Sequence, residues 1–412
     1  MSTAEPLVAW LHGVPVAIVT ADTDDGGNVA LRYTDDAFDR WNLNEPVLSC
    51  SLPLRSGKLD ATAFVDGLLP EGDVRRSLAE RRRIAAHDLF GFIGNYGRDI
   101  AGAVQFLEPD RRPDTRLGAV ETLDTADLER LVAELDDNPL AIVEESELSL
   151  AGLQDKMLLV ALDGGGWGRP LGGRPSTHIL KRDHPRHQGI VHAEHDALAL
   201  ARHAGLTTIS DHVERFGEHD CLVVERYDRV LERGQVVARI HQEDACQALG
   251  LPATRKYEIR HGGGGPEFSQ IARLLDRHAR DPLHELDRLA AVATFTALIG
   301  NADAHGKNLA LLLADGHAEL APLYDTVPTV LWPALATDAA MTIGGLVSLS
   351  GISIGVIEAE ARAWRHSPRR ARGAAIRCAE LLDDALDHDV IDPDSRLAAH
   401  VRDAVARFLA TR

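Results

Sequence analysis

At 412 residues the chain is longer than one hydrophobic core usually serves, and its 45% hydrophobic content lets each of two or more lobes bury a core of its own. The 44 Lys and Arg against 63 Asp and Glu leave a net charge of −19, which opposes unassisted binding to nucleic acid or an anionic membrane and favours a basic partner. Cys50, Cys221, Cys246 and Cys378 stand far apart without CxxC spacing, so neither a zinc knuckle nor a disulfide framework is expected, and a reducing cytosol suits the chain.

The first apolar stretch, EPLVAWLHGVPVAIVTAD, is broken by Gly13 and Pro15 and lacks a preceding basic region, so it reads as neither a signal peptide nor a membrane span. Over residues 1–108, strand-like runs such as PVAIVT and EPVLSCSLPL alternate with a charged helix around RRSLAERRRIAAHDLF, which predicts a compact α+β module. The arginines of that helix, Arg75, Arg76, Arg81, Arg82 and Arg83, suit a solvated face or a docking face for an acidic partner. A linker, EPDRRPDTRLG, leads into residues 109–235, where MLLVALD, THILKRD and CLVVERYD read as strands and HAEHDALALARHAG as the single helix. From 236 to 412 the periodicity turns helical, in DACQALG, QIARLLDRHA, LDRLAAVATFTALIG, GVIEAEARAW and AAIRCAELLDDAL, with HGGGGPEF as a mobile connection. A strand-rich lobe followed by a helix-rich lobe places a ligand in the cleft between them.

In the middle of the helical part stands IGNADAHGKNLALL, a polar connection between an apolar helix and an apolar strand. Loops on rigid scaffolds carry most sites, so Asp303, His305, Lys307 and Asn308 are the first candidates. Asp303 and Asn308 have D-x-x-x-x-N spacing, which in kinase catalytic loops puts a base over the substrate hydroxyl and an amide oxygen on Mg²⁺. After it, LALLL, a turn at Asp315-Gly316 and AELAPLYD predict a β-hairpin that returns Asp325 to the cleft as a second metal-binding carboxylate. Either His305 or Lys307 would meet the transferred phosphate, because protein kinases usually carry a lysine where His305 stands.

The upstream lobe offers the remaining parts. LSLAGLQDKMLLV puts Ser149, Ala151, Gly152 and Gln154 in a loop before a strand, where backbone N–H groups can cradle phosphates. Lys181 ends the strand THILK, within reach of nucleotide phosphates, and Glu194 on the next helix can pair with it. His192, His195 and His203 lie on or beside that helix but would need a further ligand to hold a metal. The stretch His241 to Asp244 could line the cleft, with Asp244 equally suited to cap the helix after it.

These stretches together, SLAGLQDKMLL, THILK, LVVERYDR, RIHQEDACQALG, KYE, IGNADAHGKNLALL, LAPLYD and MTIGG, with SLPL and GLLPEG nearer the amino terminus, resemble the HipA-type serine/threonine kinases, toxins of bacterial toxin–antitoxin modules. The resemblance implies an α+β, two-lobed kinase-like fold with an added N-terminal module. It also implies phosphorylation of a protein serine or threonine with ATP and Mg²⁺, in the cytoplasm and without membrane contact. Asp303 would be the base, Asn308 and Asp325 the metal ligands, and Lys181 the phosphate-binding lysine. The backbone of Glu225, Arg226 and Tyr227 would receive adenine, and Ser149 would be an inhibitory autophosphorylation site. Implied partners are a small basic helix-turn-helix antitoxin, DNA only through that antitoxin, and a translation component such as an aminoacyl-tRNA synthetase as substrate. A catalytically idle co-repressor and a metal-dependent phosphohydrolase remain the alternatives.

Overall fold

The computed structural model describes residues 5–22, 26–113, 118–135, 156–183, 187–232, 235–335 and 337–412. Its amino-terminal part is a five-stranded antiparallel sheet in the order Leu59–Asp60, Val29–Tyr33, Val14–Ala21, Leu7–Leu11, Gln105–Leu107. Helices Thr62–Leu68 and Leu89–Tyr96 put Phe64, Leu68, Phe92, Ile93 and Tyr96 into one core with Ala9, Val16 and Val19 of the strands. The predicted single charged helix is two. Gly72–Arg82 stops where Arg83 turns left-handed at φ 54°, and the chain restarts at Leu89. The run EPVLSCSLPL is no strand but a turn with one bridge between Ser49 and Leu52, because the backbone donors a ladder would need go to side chains, Cys50 N–H to Glu243 Oε1 at 2.8 Å and Ser51 N–H to Ser49 Oγ at 3.1 Å.

The next unit is a six-stranded antiparallel sheet in the order Asp211–Phe216, His219–Glu225, His178–Arg182, Lys156–Ala161, Trp167–Leu171, Ala119–Leu123. Side chains alternate between its faces as strand geometry requires. Met157, Leu159, Leu180, Cys221 and Val223 pack under a helix, Thr125–Ala133, that joins the expected Ile190–His203. Leu222 and Val224 face the other way, against Val191 and Leu198 of Ile190–His203. Lys181 shares that second face, opposite Lys156 in the register.

The carboxy-terminal part packs the helices Phe268–His278, Ile354–Ala363, Pro368–Asp387 and Arg396–Leu409 around the buried helix Pro282–Ile299. Gly300 ends that central helix in a left-handed cap at φ 76°. The loop 301–308 follows, and the hairpin Ala310–Ala314 and His317–Leu320 turns at Asp315 and Gly316, both with positive φ as a type I′ turn demands. HGGGGPEF is less loose than expected. Gly264 N–H and Gly265 N–H return to the carbonyls of Glu258 and Tyr257 at 2.9 and 3.1 Å. Among the described residues no helix is long and apolar enough to cross a membrane.

Candidate active site

A cleft of about 580 Å³ separates the six-stranded sheet from the helical lobe, and Lys156, Lys181, Tyr227, Asp303, Asn308 and Asp325 all line it. The Lys181 ammonium lies 2.6 Å from Glu194 Oε1 and 2.8 Å from Asp325 Oδ1, so one buried cation joins the sheet, its helix and the loop after the hairpin. Burial opposes that charge, but Asp325 and Glu194 outweigh it and hold Lys181 protonated above the ordinary lysine value. Burial likewise works against the Asp325 carboxylate, yet Lys181 holds its pKa well below the usual range. Asp325 adopts φ 55°, uncommon outside glycine, a strain that surrounding contacts must hold.

One such contact comes from Asn301. Its side chain accepts from Asp303 N–H at 3.1 Å and donates to the Asp325 carbonyl at 3.2 Å, fixing the two acidic segments to each other. Asp303 itself is half-exposed. Its Oδ1 accepts from the Tyr257 hydroxyl at 3.1 Å and faces the Arg260 guanidinium at 3.8 Å. Burial, followed by the neighbouring Asp325 charge, raises its pKa, which makes it a better proton acceptor than a free aspartate. Asn308 donates its amide nitrogen to the Asp303 carbonyl at 3.2 Å, which fixes the orientation of its side chain in the cleft.

His305 and Lys307 are accounted for differently. The His305 ring is buried edge-on against Tyr257, with centroids 5.2 Å apart, and burial pushes its pKa down to about 3. It carries no charge at neutral pH. Lys307 Nζ donates to Asp244 Oδ2 and to the Gly67 carbonyl, each at 2.9 Å, and so ties the loop to the amino-terminal module. Asp244 does both jobs expected of its stretch: it caps Ala245–Ala248 and lies in the cleft wall.

Just after strand His219–Glu225, Glu225 N–H donates to the Ser210 carbonyl and Arg226 N–H to that of Thr177, each at 2.9 Å, and Tyr227 follows at the cleft wall. The Arg226 side chain turns away into a buried network, at 2.8 Å from Asp228 and 3.7 Å from Asp99, joined by Arg229. The Tyr227 ring stacks on Tyr324 at 5.8 Å. Ser149, Ala151, Gly152 and Gln154 lie outside the described residues. The histidines do not gather: His192, His195 and His203 each face a different aspartate, Asp220, Asp211 and Asp384.

Sequence reasoning assigned no role to Asn301, Lys156, Lys256, Tyr257 or Glu71. Burial and then Lys181 push Lys156 down to about 8, so two ammonium groups share the roof of the cleft. KYE was a visible signal for Lys256 and Tyr257, and GLLPEG for Glu71, but neither disclosed what it would face.

A strand-rich lobe with a buried Lys–Glu pair, set over a helical lobe with a D-x-x-x-x-N loop and a second aspartate, defines a two-lobed kinase-like fold, here carrying an extra amino-terminal module. Residues 148–386 match the HipA-like C-terminal domain and residues 7–107 the HipA N-terminal domain, and the chain belongs to the HipA family. Relatives include the putative kinase Y4mE of Sinorhizobium fredii, 35% identical over 90% of this chain and 86% of that protein. The serine/threonine-protein kinase toxin HipA of Shewanella oneidensis is 30% identical over 83% of this chain and 80% of its own length. The solved complex of S. oneidensis HipA with HipB and operator DNA superposes with a TM-score of 0.80 at 25% identity, covering 98% of this chain and 96% of that one.

Proposed function

We propose that the chain is an ATP-dependent serine/threonine protein kinase acting as the toxin of a toxin–antitoxin pair. The observation that carries this reading is the Lys181 ammonium shared by Glu194 and Asp325 across the cleft from Asp303, since a kinase needs that lysine–glutamate pair and metal-binding aspartate assembled together. In this reading Asp303 accepts the proton of the attacking hydroxyl, while Tyr257 and Asn301 hold it in place. Lys181 and Lys156 receive the phosphates from the sheet side, and Tyr227 N–H meets adenine. A carboxylate on Asp325 and an amide oxygen on Asn308 form an all-oxygen donor pair of the kind Mg²⁺ takes when phosphate oxygens and water complete its shell. Bound there, the ion would neutralise charge on the nucleotide phosphates.

We retain the division into an N-terminal module 1–108, a sheet lobe 109–235 and a helical lobe 236–412. Ser149, Ala151, Gly152 and Gln154 are proposed as the phosphate-covering loop, with Ser149 as its inhibitory autophosphorylation site. A phosphate there would stand beside Glu144, Glu145 and Glu147 and repel the bound nucleotide. The relative solved with HipB and operator DNA, together with a net charge of −19, supports a small basic antitoxin as partner and DNA contact through it. A cytoplasmic translation component such as an aminoacyl-tRNA synthetase is the substrate class the family implies. Incubation with γ-labelled ATP, Mg²⁺ and a cell extract tests the reading: acid-stable phosphoserine or phosphothreonine supports it. Free phosphate alone points to a hydrolase, and nucleotide binding without transfer to an idle co-repressor.

A further inference from the structure

Phosphoryl transfer needs a cation on the catalytic-loop side of the cleft, to meet charge on the equatorial oxygens of the phosphoryl group in flight. Neither expected candidate supplies it. Lys307 has two acceptors, Asp244 and the Gly67 carbonyl, and the His305 ring is packed against Tyr257, whereas among the described residues the Lys256 ammonium has a single hydrogen-bond acceptor, Glu71. Arg260 is committed too, since its guanidinium donates to the carbonyls of Ala302 and Asp338 while facing Asp303.

We infer that Lys256 is the loop-side cation that meets the γ-phosphoryl group, and that Glu71, from the amino-terminal module, is the residue that positions it. Three observations support this. Lys256 lines the same cleft, and its carbonyl accepts from Gly306 N–H at 3.0 Å, which fixes its backbone to the loop that carries Asp303 and Asn308. Its ammonium lies 5.8 Å from the centre of the Tyr257 ring, the residue whose hydroxyl donates to Asp303 and against which His305 packs. Its carboxylate contact is Glu71 Oε2 at 3.0 Å, while Glu71 Oε1 is buried without a hydrogen-bond partner. A carboxylate half satisfied by one ammonium holds that ammonium in place and has unused acceptor capacity on its other oxygen.

This rests on the kinase reading. The substrate hydroxyl oxygen bonds to the γ-phosphorus as the bond from that phosphorus to the β,γ-bridging oxygen breaks; ADP leaves with the electron pair and Asp303 takes the hydroxyl proton. Lys256 forms no bond and changes no protonation state; it offsets negative charge on the three oxygens that move with phosphorus. The amino-terminal module is therefore part of the active centre, through Glu71 to Lys256 as well as through Gly67 to Lys307.

The test compares affinities of the full-length protein for a non-hydrolysable ATP analogue and for ADP, with Mg²⁺, by calorimetry. Lys256→Met should lower the ratio of analogue affinity to ADP affinity about tenfold while leaving ADP affinity unchanged, because only the γ-phosphate is lost as a contact. Lys256→Arg should recover most of the ratio. Glu71→Gln keeps the ammonium but loosens it and should lower the ratio severalfold, which keeps the inference testable if Lys256→Met fails to fold. An unchanged ratio in Lys256→Met, or in Glu71→Gln when that variant alone folds, overturns the inference and leaves the kinase reading standing. A parent protein that binds neither nucleotide overturns both.

Discussion

Replacing Lys307 by methionine separates a structural tie from a phosphate contact. In the folded protein its ammonium is buried, 2.9 Å from Asp244 Oδ2 and 2.9 Å from the Gly67 carbonyl. At an effective dielectric constant of about 20, a charge pair at that distance has a gross attraction of about 6 kcal/mol, most of which offsets desolvation. Removing one partner leaves the Asp244 carboxylate buried and uncompensated, so Lys307→Met should cost about 3–5 kcal/mol. Asp244→Asn removes the charge and retains a helix-capping side chain, so the double variant should be less destabilised than the two single variants summed, by about 2 kcal/mol. Urea unfolding of the four proteins gives the cycle. A cost below about 1 kcal/mol for Lys307→Met, with no coupling to Asp244 and a specific loss of affinity for the ATP analogue over ADP, would refute the argument and return Lys307 to the phosphate.

Three further outcomes follow from the same geometry. Asp325→Asn should weaken Mg²⁺-dependent nucleotide binding at least tenfold by titration, and equal affinity in parent and variant would remove Asp325 from the metal. Glu243 is buried where the amino-terminal module meets the helical lobe, accepting from Cys50 N–H at 2.8 Å, and burial pushes its pKa up to about 7 from 4.5. Its protonated form favours folding in full below pH 4.5, and that contribution is lost as pH rises towards 7. The parent should therefore lose about 3 kcal/mol across this window relative to Glu243→Gln, and parallel stability profiles of the two would contradict the shift. Incubation with ATP and Mg²⁺ should add one phosphate to the intact mass, absent in Ser149→Ala; a phosphate that persists in that variant would remove the regulatory role of Ser149.

What could be read from the chain was local. D-x-x-x-x-N, the Asp-Gly hairpin turn and the Lys181–Glu194 pair depend on spacings within one lobe, where periodicity and turn chemistry determine which side chains meet. The commitment of Lys307 to Gly67 spans 240 residues and that of Lys256 to Glu71 spans 185, and no periodic pattern encodes a contact between separate modules. The strand expected over EPVLSCSLPL is absent for the same reason. Its alternation suits a strand, but Ser49 and Ser51 are drawn to Gln247 and Cys50 N–H to Glu243, partners visible only after the lobes dock. Arg83, in the left-handed region without a glycine to announce it, concealed the break in the charged helix.

The central claim is that Asp303 is the base of a protein kinase, and single-turnover transfer from γ-labelled ATP in parent and Asp303→Asn, each first shown to bind nucleotide, tests it most directly. The account predicts labelled serine or threonine with the parent and a loss of about 10²–10⁴-fold in rate for Asp303→Asn, with nucleotide affinity kept within threefold. Equal transfer by the two proteins would contradict it.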